Sequence, residues 1–392
     1  MVQIKQLTLE QFEERIALTQ FAFQMEMSTE GIEEARASFR PDLEWGVFDE
    51  QGRLQSMLTI YPFEVWIQGQ AISMGGIASV ASWPDSRRQG GVSKLMIHAL
   101  ATMRENGQTI SMLAPFSFSF YRKYGYEMVV ERKAYTMETA HIPPRVDVPG
   151  HVRLVEKRTE LFSGIYEAYA SQYSGMLKRD DNWWKRKIWS KSGSAAIYYG
   201  ESGEAEGYVI YQVTNRTFTV HEWVELTDAA RMALWSFAAN HDSMIDKLTL
   251  TASMDDSLSF LVPNPRFKQE VVPYFMSRIV DVTSFVEMYP FSPSNQEEAL
   301  LLKLSDVHAP WNDGVFRMEF SAKGSARLER MNGTGASLPA VQCDIGTLTA
   351  LLAGNRRPDM LRRVGGLHGD AAAMELLERR IPNRHTHLMD FF

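Results

Sequence analysis

The stretch Arg87-Arg88-Gln89-Gly90-Gly91 constrains the fold of this chain more than any other, because of what lies on either side of it. Before it, Ile77 to Ser82 reads as a β-strand that closes at Trp83-Pro84-Asp85. After it, Val92, Leu95, Met96, Ala99, Leu100 and Met103 recur at the spacing of one helix face. Gly107 is the stop signal. A strand therefore runs into a glycine-rich turn and then a helix. Backbone N–H groups at such a turn form a site for phosphate, and the two arginines add charge-assisted contacts. The nucleoside-triphosphate loop G-x-x-x-x-G-K-[ST] and the dinucleotide fingerprint G-x-G-x-x-G are both absent. On these residues alone, a basic turn with no ligand stays open as the alternative.

Composition narrows the class. A chain of 392 residues is too long for one ordinary domain, so two or three are expected. No run of about 18 apolar residues marks a membrane helix. The start, Met1-Val2-Gln3-Ile4-Lys5 followed by Glu10, Glu13 and Glu14, is not a signal peptide. The one cysteine, Cys343, rules out an intrachain disulfide and a cysteine-built metal cluster, and a reducing cytoplasm is the expected location. The nine histidines show no metal-ligand spacing, so no catalytic metal is expected. A net charge of −7 argues against nucleic acid as a partner and is compatible with cationic substrates.

Three segments are read along the chain. Residues 1–150 open with a helix over Leu9 to Met25, then strands Trp45 to Phe48, Leu54 to Pro62 and Phe63 to Ile67, with a hairpin at Gly69. The loop, its helix and a strand Thr109 to Leu113 follow, and then Phe120-Tyr121-Arg122-Lys123-Tyr124-Gly125-Tyr126. Residues 151–285 repeat part of this order: strands Tyr208 to Val213 and Thr217 to Leu226, Thr227 as an N-cap, a helix from Ala229 to Ala239, and a strand Lys247 to Thr251. The strand-to-helix turn here lacks glycine, so a side-chain cap takes the place of a phosphate. Residues 286–392 carry strands Leu301 to Leu304 and Val315 to Ser321, and helices Asp344 to Ala353 and Ala371 to Arg380. The apolar end, Phe391-Phe392, reads as docked rather than frayed.

Two motifs carry a resemblance. Arg87, Gly90 and Val92 resemble the Q/R-x-x-G-x-G/A pyrophosphate loop of the GNAT superfamily of acetyl-CoA-dependent N-acetyltransferases, with Val92 where that family has a small residue. Phe120-Tyr121 followed by Gly125-Tyr126 resembles the F-Y-x-x-x-G-[FY] signature of the same superfamily. Farther on come Arg278-Ile279-Val280-Asp281-Val282 and Asp306 to Gly314, and then an aromatic end. This whole-chain order resembles the enhanced intracellular survival (Eis) family. The fold implied is mixed α/β: tandem GNAT-like domains followed by a sterol-carrier-protein-like α+β domain.

The resemblance implies roles. Backbone at Val80, Ala81 and Ser82 would pair with the pantetheine arm of acetyl-CoA like an added strand. Arg87, Arg88, Gly90 and Gly91 would hold the pyrophosphate. Tyr121 would protonate the leaving thiolate, and the terminal carboxylate of Phe392 would enter the first domain's cleft to orient and deprotonate the amine. Tyr124 and Tyr126 are expected to pack. The family's pocket accepts amines of aminoglycosides and its members assemble as hexamers, so a wide pocket with acidic and aromatic groups is expected. Glu26, Trp183 and Trp184 are its candidates by composition, the tryptophans being equally suited to the core. One rival reading is a lipid carrier, which calls for a deep apolar tunnel in residues 286–392; the other is a regulatory protein that binds CoA without turnover and lacks a base within reach of an amine.

Overall fold

The computed structural model describes residues 3–331 and 338–392; Met1, Val2 and 332–337 lie outside them. Among the described residues, twelve strands follow one another in a single sheet, and the short pair Leu177–Lys178 joins it from the side. In residue numbers the order is 3–6, 44–48, 54–67, 70–82, 110–113, 268–279, 127–138, 247–252, 217–225, 205–214, 194–199 and 151–155.

Pro62, read as a strand end, lies inside one 14-residue strand, Leu54–Ile67. Its hairpin partner Gln70–Ser82 continues opposite it, with Pro62 facing Gly75. The other edge of Leu54–Ile67 pairs with Glu44–Phe48 as far as Thr59 and meets Leu177–Lys178 only from Glu64. A residue without an N–H fits an edge that is open at that point. The opening helix is shorter than expected, a 3-10 turn Leu9–Gln11 followed by Phe12–Phe23, and a second helix, Thr29–Ala37, follows it.

The loop strand Gln70–Ser82 carries a bulge. Met57 faces Ala81 and Thr59 faces Ala78, so one residue more than the ladder allows is taken up between them, and Ser79 has φ of 51°. Beside this strand, Ile110–Leu113 runs parallel only from Met74 to Ile77. Beyond Ile77 the two strands part. The edge of Ala78 to Ser82 that would face Ile110–Leu113 is left without a ladder partner among the described residues. Bulge and divergence together open a V in the middle of the sheet.

The second segment repeats the crossover. Strand Thr217–Glu225, helix Asp228–Ala239 and strand Lys247–Ala252 form a parallel unit, like Gln70–Ser82, Gly91–Glu105 and Ile110–Leu113. Thr227 caps the helix by accepting from Ala230 N at 3.1 Å. Strand Lys268–Ile279, which a boundary at 285 assigns to the second segment, is built between Ile110–Leu113 and Glu127–Glu138 of the first. The third segment has its own five-stranded sheet. Its apolar helix Ile345–Leu352 leans on the first sheet, where Thr349 Oγ1 accepts from Ile279 N at 3.0 Å.

The segments Arg278 to Val282 and Asp306 to Gly314 meet at the seam. Arg278 is fully buried and donates to Asp306 and to the Tyr124 carbonyl. Asn312 donates to the Val280 carbonyl at 3.0 Å and accepts from Val282 N at 3.0 Å, while Trp311 Nε1 donates to the same carbonyl at 2.8 Å. These residues tie the third segment to the turn that follows Tyr121.

Candidate active site

Gly90 stands at the N-cap of helix Gly91–Glu105 with φ of 81°, the left-handed conformation that glycine adopts without strain. No side chain caps this helix, and its first intrahelical bond is Lys94 N to Gly90 O at 3.0 Å. The N–H groups of Gly91, Val92 and Ser93 are therefore free to meet an anion. Arg88 is also left-handed, with φ of 62°, an unusual state for a side chain of that size. Arg87 and Arg88 are exposed, and neither guanidinium has a protein partner among the described residues. The capped turn at Thr227 is the opposite case: its hydroxyl already occupies the helix end. The structure puts Val80, Ala81 and Ser82 on the unpaired side of the V, next to the loop.

Tyr121 belongs to the short helix Phe118–Arg122, which Ser117 caps. Its ring is 3% exposed and lies edge-on to Phe116, Phe120 and Tyr126. It shares an apolar cluster with Ile77 and Leu113, the last paired residues before the V opens. Its hydroxyl has no hydrogen-bond partner among the described residues. Burial, and then the neighbouring Tyr126 and Tyr124, push its phenol well above the usual range. The group is thus always protonated near neutrality. Tyr126 and Tyr124 pack: Tyr126 bonds Ser111 at 2.7 Å with its phenol pushed up to about 12, and Tyr124 bonds Ser93 of the loop helix at 2.7 Å.

Phe392 lies against the opposite face of the same strands. Its ring is 8% exposed and touches Phe63, Phe275 and Trp183. Gly76 makes room for it: a Cβ there would stand 2.8 Å from Phe63 and 2.9 Å from Phe392. Phe391, by contrast, is 61% exposed.

What holds this end in place was not read from the sequence. Asp390 is buried and accepts from Arg179 Nε at 3.0 Å, from Trp183 Nε1 at 2.7 Å and from the Tyr166 hydroxyl at 3.3 Å. Arg179 turns its other nitrogens to Glu222 at 2.7 and 3.0 Å, and Tyr208 donates to Glu222 at 3.0 Å. The Arg179 and Glu222 side chains are fully enclosed, and Arg179 stacks on Tyr166 at 3.8 Å. Burial pushes Glu222 up, but the Arg179 guanidinium and then partly exposed Lys191 at 3.6 Å outweigh it and hold the carboxyl below the usual range. Upstream, His387 N donates to Ser174 O at 3.0 Å and Ser174 N to His385 O at 2.9 Å, a short bridge that fastens the tail to the second segment.

A cleft of about 620 Å³ opens between the first and second segments. Tyr61, Phe63 and Trp183 form its aromatic wall, two of them in contact with Phe392. The expected aromatic character is present; the expected acidic character is not. Glu44 is buried at its side, pushed up by burial and pulled down by Arg15, whose guanidinium pairs with it at 3.0 Å. Arg40 is taken by Asp42, and Asp180 caps the following helical turn. Lys185, Arg186 and Lys187 also line the cleft, without ion-pair partners among the described residues. Glu34 is the remaining acidic side chain of the lining. Glu26 is exposed on the turn between Phe12–Phe23 and Thr29–Ala37 and is not part of the lining. Trp184 is 1% exposed and stacks on Trp189 in the core, so only Trp183 of the pair reaches the cleft. The run Trp183 to Lys187, aromatic then basic, was the available signal in the sequence.

Residues 3–129 and 175–279 each match a GNAT acetyltransferase domain, and residues 282–389 match a sterol carrier protein domain. A solved protein from Enterococcus faecalis, described as of unknown function and a probable N-acyltransferase, is 32% identical with a TM-score of 0.92, each chain being covered over 100% of its length. The chain belongs to the GNAT acyltransferases, with two such domains followed by a sterol carrier protein domain. Within that family it is similar to an uncharacterized N-acetyltransferase of Streptomyces avermitilis, 24% identical over 88% of this chain and 87% of the relative. Eis1 from Mycobacterium abscessus, at 18% identity, shares the fold with a TM-score of 0.82 over 100% of both chains. The family's chemistry is acyl transfer with acetyl-CoA as donor. Among the described residues no helix is long and apolar enough to cross a membrane, and no cluster of three or more His, Cys, Asp or Glu is placed to hold a metal.

Proposed function

We propose that this protein transfers the acetyl group of acetyl-CoA directly to an amine of a small molecule, with both substrates bound at once. The observation that carries the reading is the arrangement around the V. An uncapped helix N-terminus with two unpaired arginines lies at its outer end, and the free Tyr121 hydroxyl lies at its apex. Val80 to Ser82 offer an open strand edge between them for the pantetheine. The amine nitrogen attacks the thioester carbonyl, an N–C bond forms, and the C–S bond breaks. Tyr121 gives its proton to the departing thiolate and is reprotonated from solvent. The terminal carboxylate of Phe392, carried to the cleft by the buried Asp390 anchor, takes the ammonium's proton directly or through water.

A lipid-carrier role has less support. Among the described residues, the apolar interior of the third segment, between Leu300, Leu352 and Leu377, holds a void of about 10 Å³, room for one water. Assembly as a hexamer rests on the family resemblance and is open to test by light scattering.

The deciding experiment measures thiol release from acetyl-CoA with a panel of amines. Amine-dependent release with an N-acetylated product is the expected result. Tight acetyl-CoA binding with no transfer to any amine would move the protein to the CoA-binding, non-catalytic class.

A further inference from the structure

The charge of the cleft bears on which amine enters it, and this inference rests on the acetyltransferase reading above. Lys185, Arg186 and Lys187 are consecutive residues of a π-helical turn, Trp184–Ile188. Such turns are rare and concentrate at functional sites. Three successive residues of an ordinary helix point in three directions, yet all three of these line the cleft. The wider turn, which sets neighbours at a smaller angle, brings them to one side.

None of the three is neutralised. Every other charged group of the lining except Glu34 is committed elsewhere: Arg15 to Glu44, Arg40 to Asp42, Asp180 to the cap of the turn itself. Lys187 lies 5.5 Å from the centre of the Trp183 ring, and that ring is 6.4 Å from Phe392. Burial against the wall, and then Arg186, hold the Lys187 ammonium below its ordinary range despite Asp390 behind the wall. The mouth of the cleft is short of negative charge, and Glu34 alone does not supply it. A polycation approaching this mouth meets three unpaired positive charges; an anion is drawn in and makes charge-assisted contacts.

We infer that the acceptor is an amine that also carries an anionic group, a phosphate or a carboxylate, which Lys185, Arg186 and Lys187 hold at the mouth while the amine reaches toward Phe392. A simple aminosugar and a polyamine lack that handle. The basic turn sets specificity through substrate binding and takes no part in the bond-making step.

The test uses the full-length protein and five acceptors. Glucosamine 6-phosphate is paired with glucosamine, 4-aminobutyrate with butylamine, and spermidine serves as the polycation. The expected result is a kcat/KM for at least one member bearing the acid group about tenfold or more above its partner without that group. A phosphate handle raises the first pair and a carboxylate the second, so the two sources separate. In a double variant, Lys185→Glu with Arg186→Glu, that ratio is expected to fall at least about tenfold, mainly through KM, with an unchanged melting temperature because both side chains are exposed. Raising the salt is expected to lower the wild-type ratio as well. Spermidine as the best acceptor, or a ratio that survives charge reversal, overturns the inference and leaves the acetyltransferase reading standing. Bound acetyl-CoA with no thiol release from any of the five overturns that reading, and the inference with it.

Discussion

Tyr121 shows how little of a side chain's environment is visible in its own motif. The sequence supplies the ring and its neighbours Phe120 and Tyr124; the structure adds that the hydroxyl is unpartnered and the phenol raised by burial. In Tyr121→Phe the ring and its packing stay and the proton goes, so kcat should fall roughly 10²–10⁴-fold while KM for acetyl-CoA stays within about twofold. Near-normal turnover in a folded variant would make Tyr121 a packing residue. The loop gives the reciprocal pattern. Arg88→Ala and Gly90→Asp should each raise KM for acetyl-CoA, the first by removing a charge-assisted contact, the second by setting a carboxylate against the pyrophosphate. Unchanged acetyl-CoA affinity in both would place the donor site elsewhere. These residues were legible because their chemistry is local, one strand, one turn and one helix in sequence order. Asp390 was not, because its guanidinium partner lies 211 residues away.

At the scale of one element, the C-terminal tail is held by a buried charge network at Asp390 and presents a ring at Phe392. Asp390→Ala leaves the Trp183 N–H and part of Arg179 unsatisfied in an enclosed site, at a cost on the order of 3 kcal/mol. The variant should lose turnover and unfold at lower urea while keeping its affinity for acetyl-CoA. Adding a few residues after Phe392 should separate the two effects: activity falls because the carboxylate has moved, and the melting temperature holds because Asp390 and Phe392 remain. A tagged protein with full activity would remove the terminal carboxylate from the mechanism and bring Glu44 forward. Acid should release the same element. Burial pulls His387 from 6.5 to about 4, with Asp255 resisting the change and Arg132 reinforcing it, so the folded state keeps the ring neutral. Its contribution is therefore complete above the unfolded pKa and is lost as pH falls from about 6.5 toward 4, roughly 3 kcal/mol in all. Urea titrations across that window should show a steeper loss in the wild type than in His387→Gln; equal slopes would assign the acid sensitivity to other groups.

For the molecule as a whole, the order of strands and helices was legible wherever a periodic run ended in a turn residue or a cap, as at Gly107 and Thr227. Pro62 misled, because an open sheet edge tolerates a residue that the sequence marks as a break. The charge of the cleft was also out of reach, since its lining is drawn from helices of the first segment and a turn of the second, and pairing decides which charges are left over. Least legible was the path of strand Lys268–Ile279 between Ile110–Leu113 and Glu127–Glu138. That path sets a timetable for biosynthesis. A ribosome adds roughly 5–20 residues per second, so the nascent first segment waits on the order of ten seconds for its missing strand. Meanwhile two unpaired edges face solvent or a chaperone, and such edges invite association with other chains. A fragment ending at residue 150 should accordingly aggregate, and a soluble fragment with a cooperative melt would refute this. The first segment of the protein is born early and finished late.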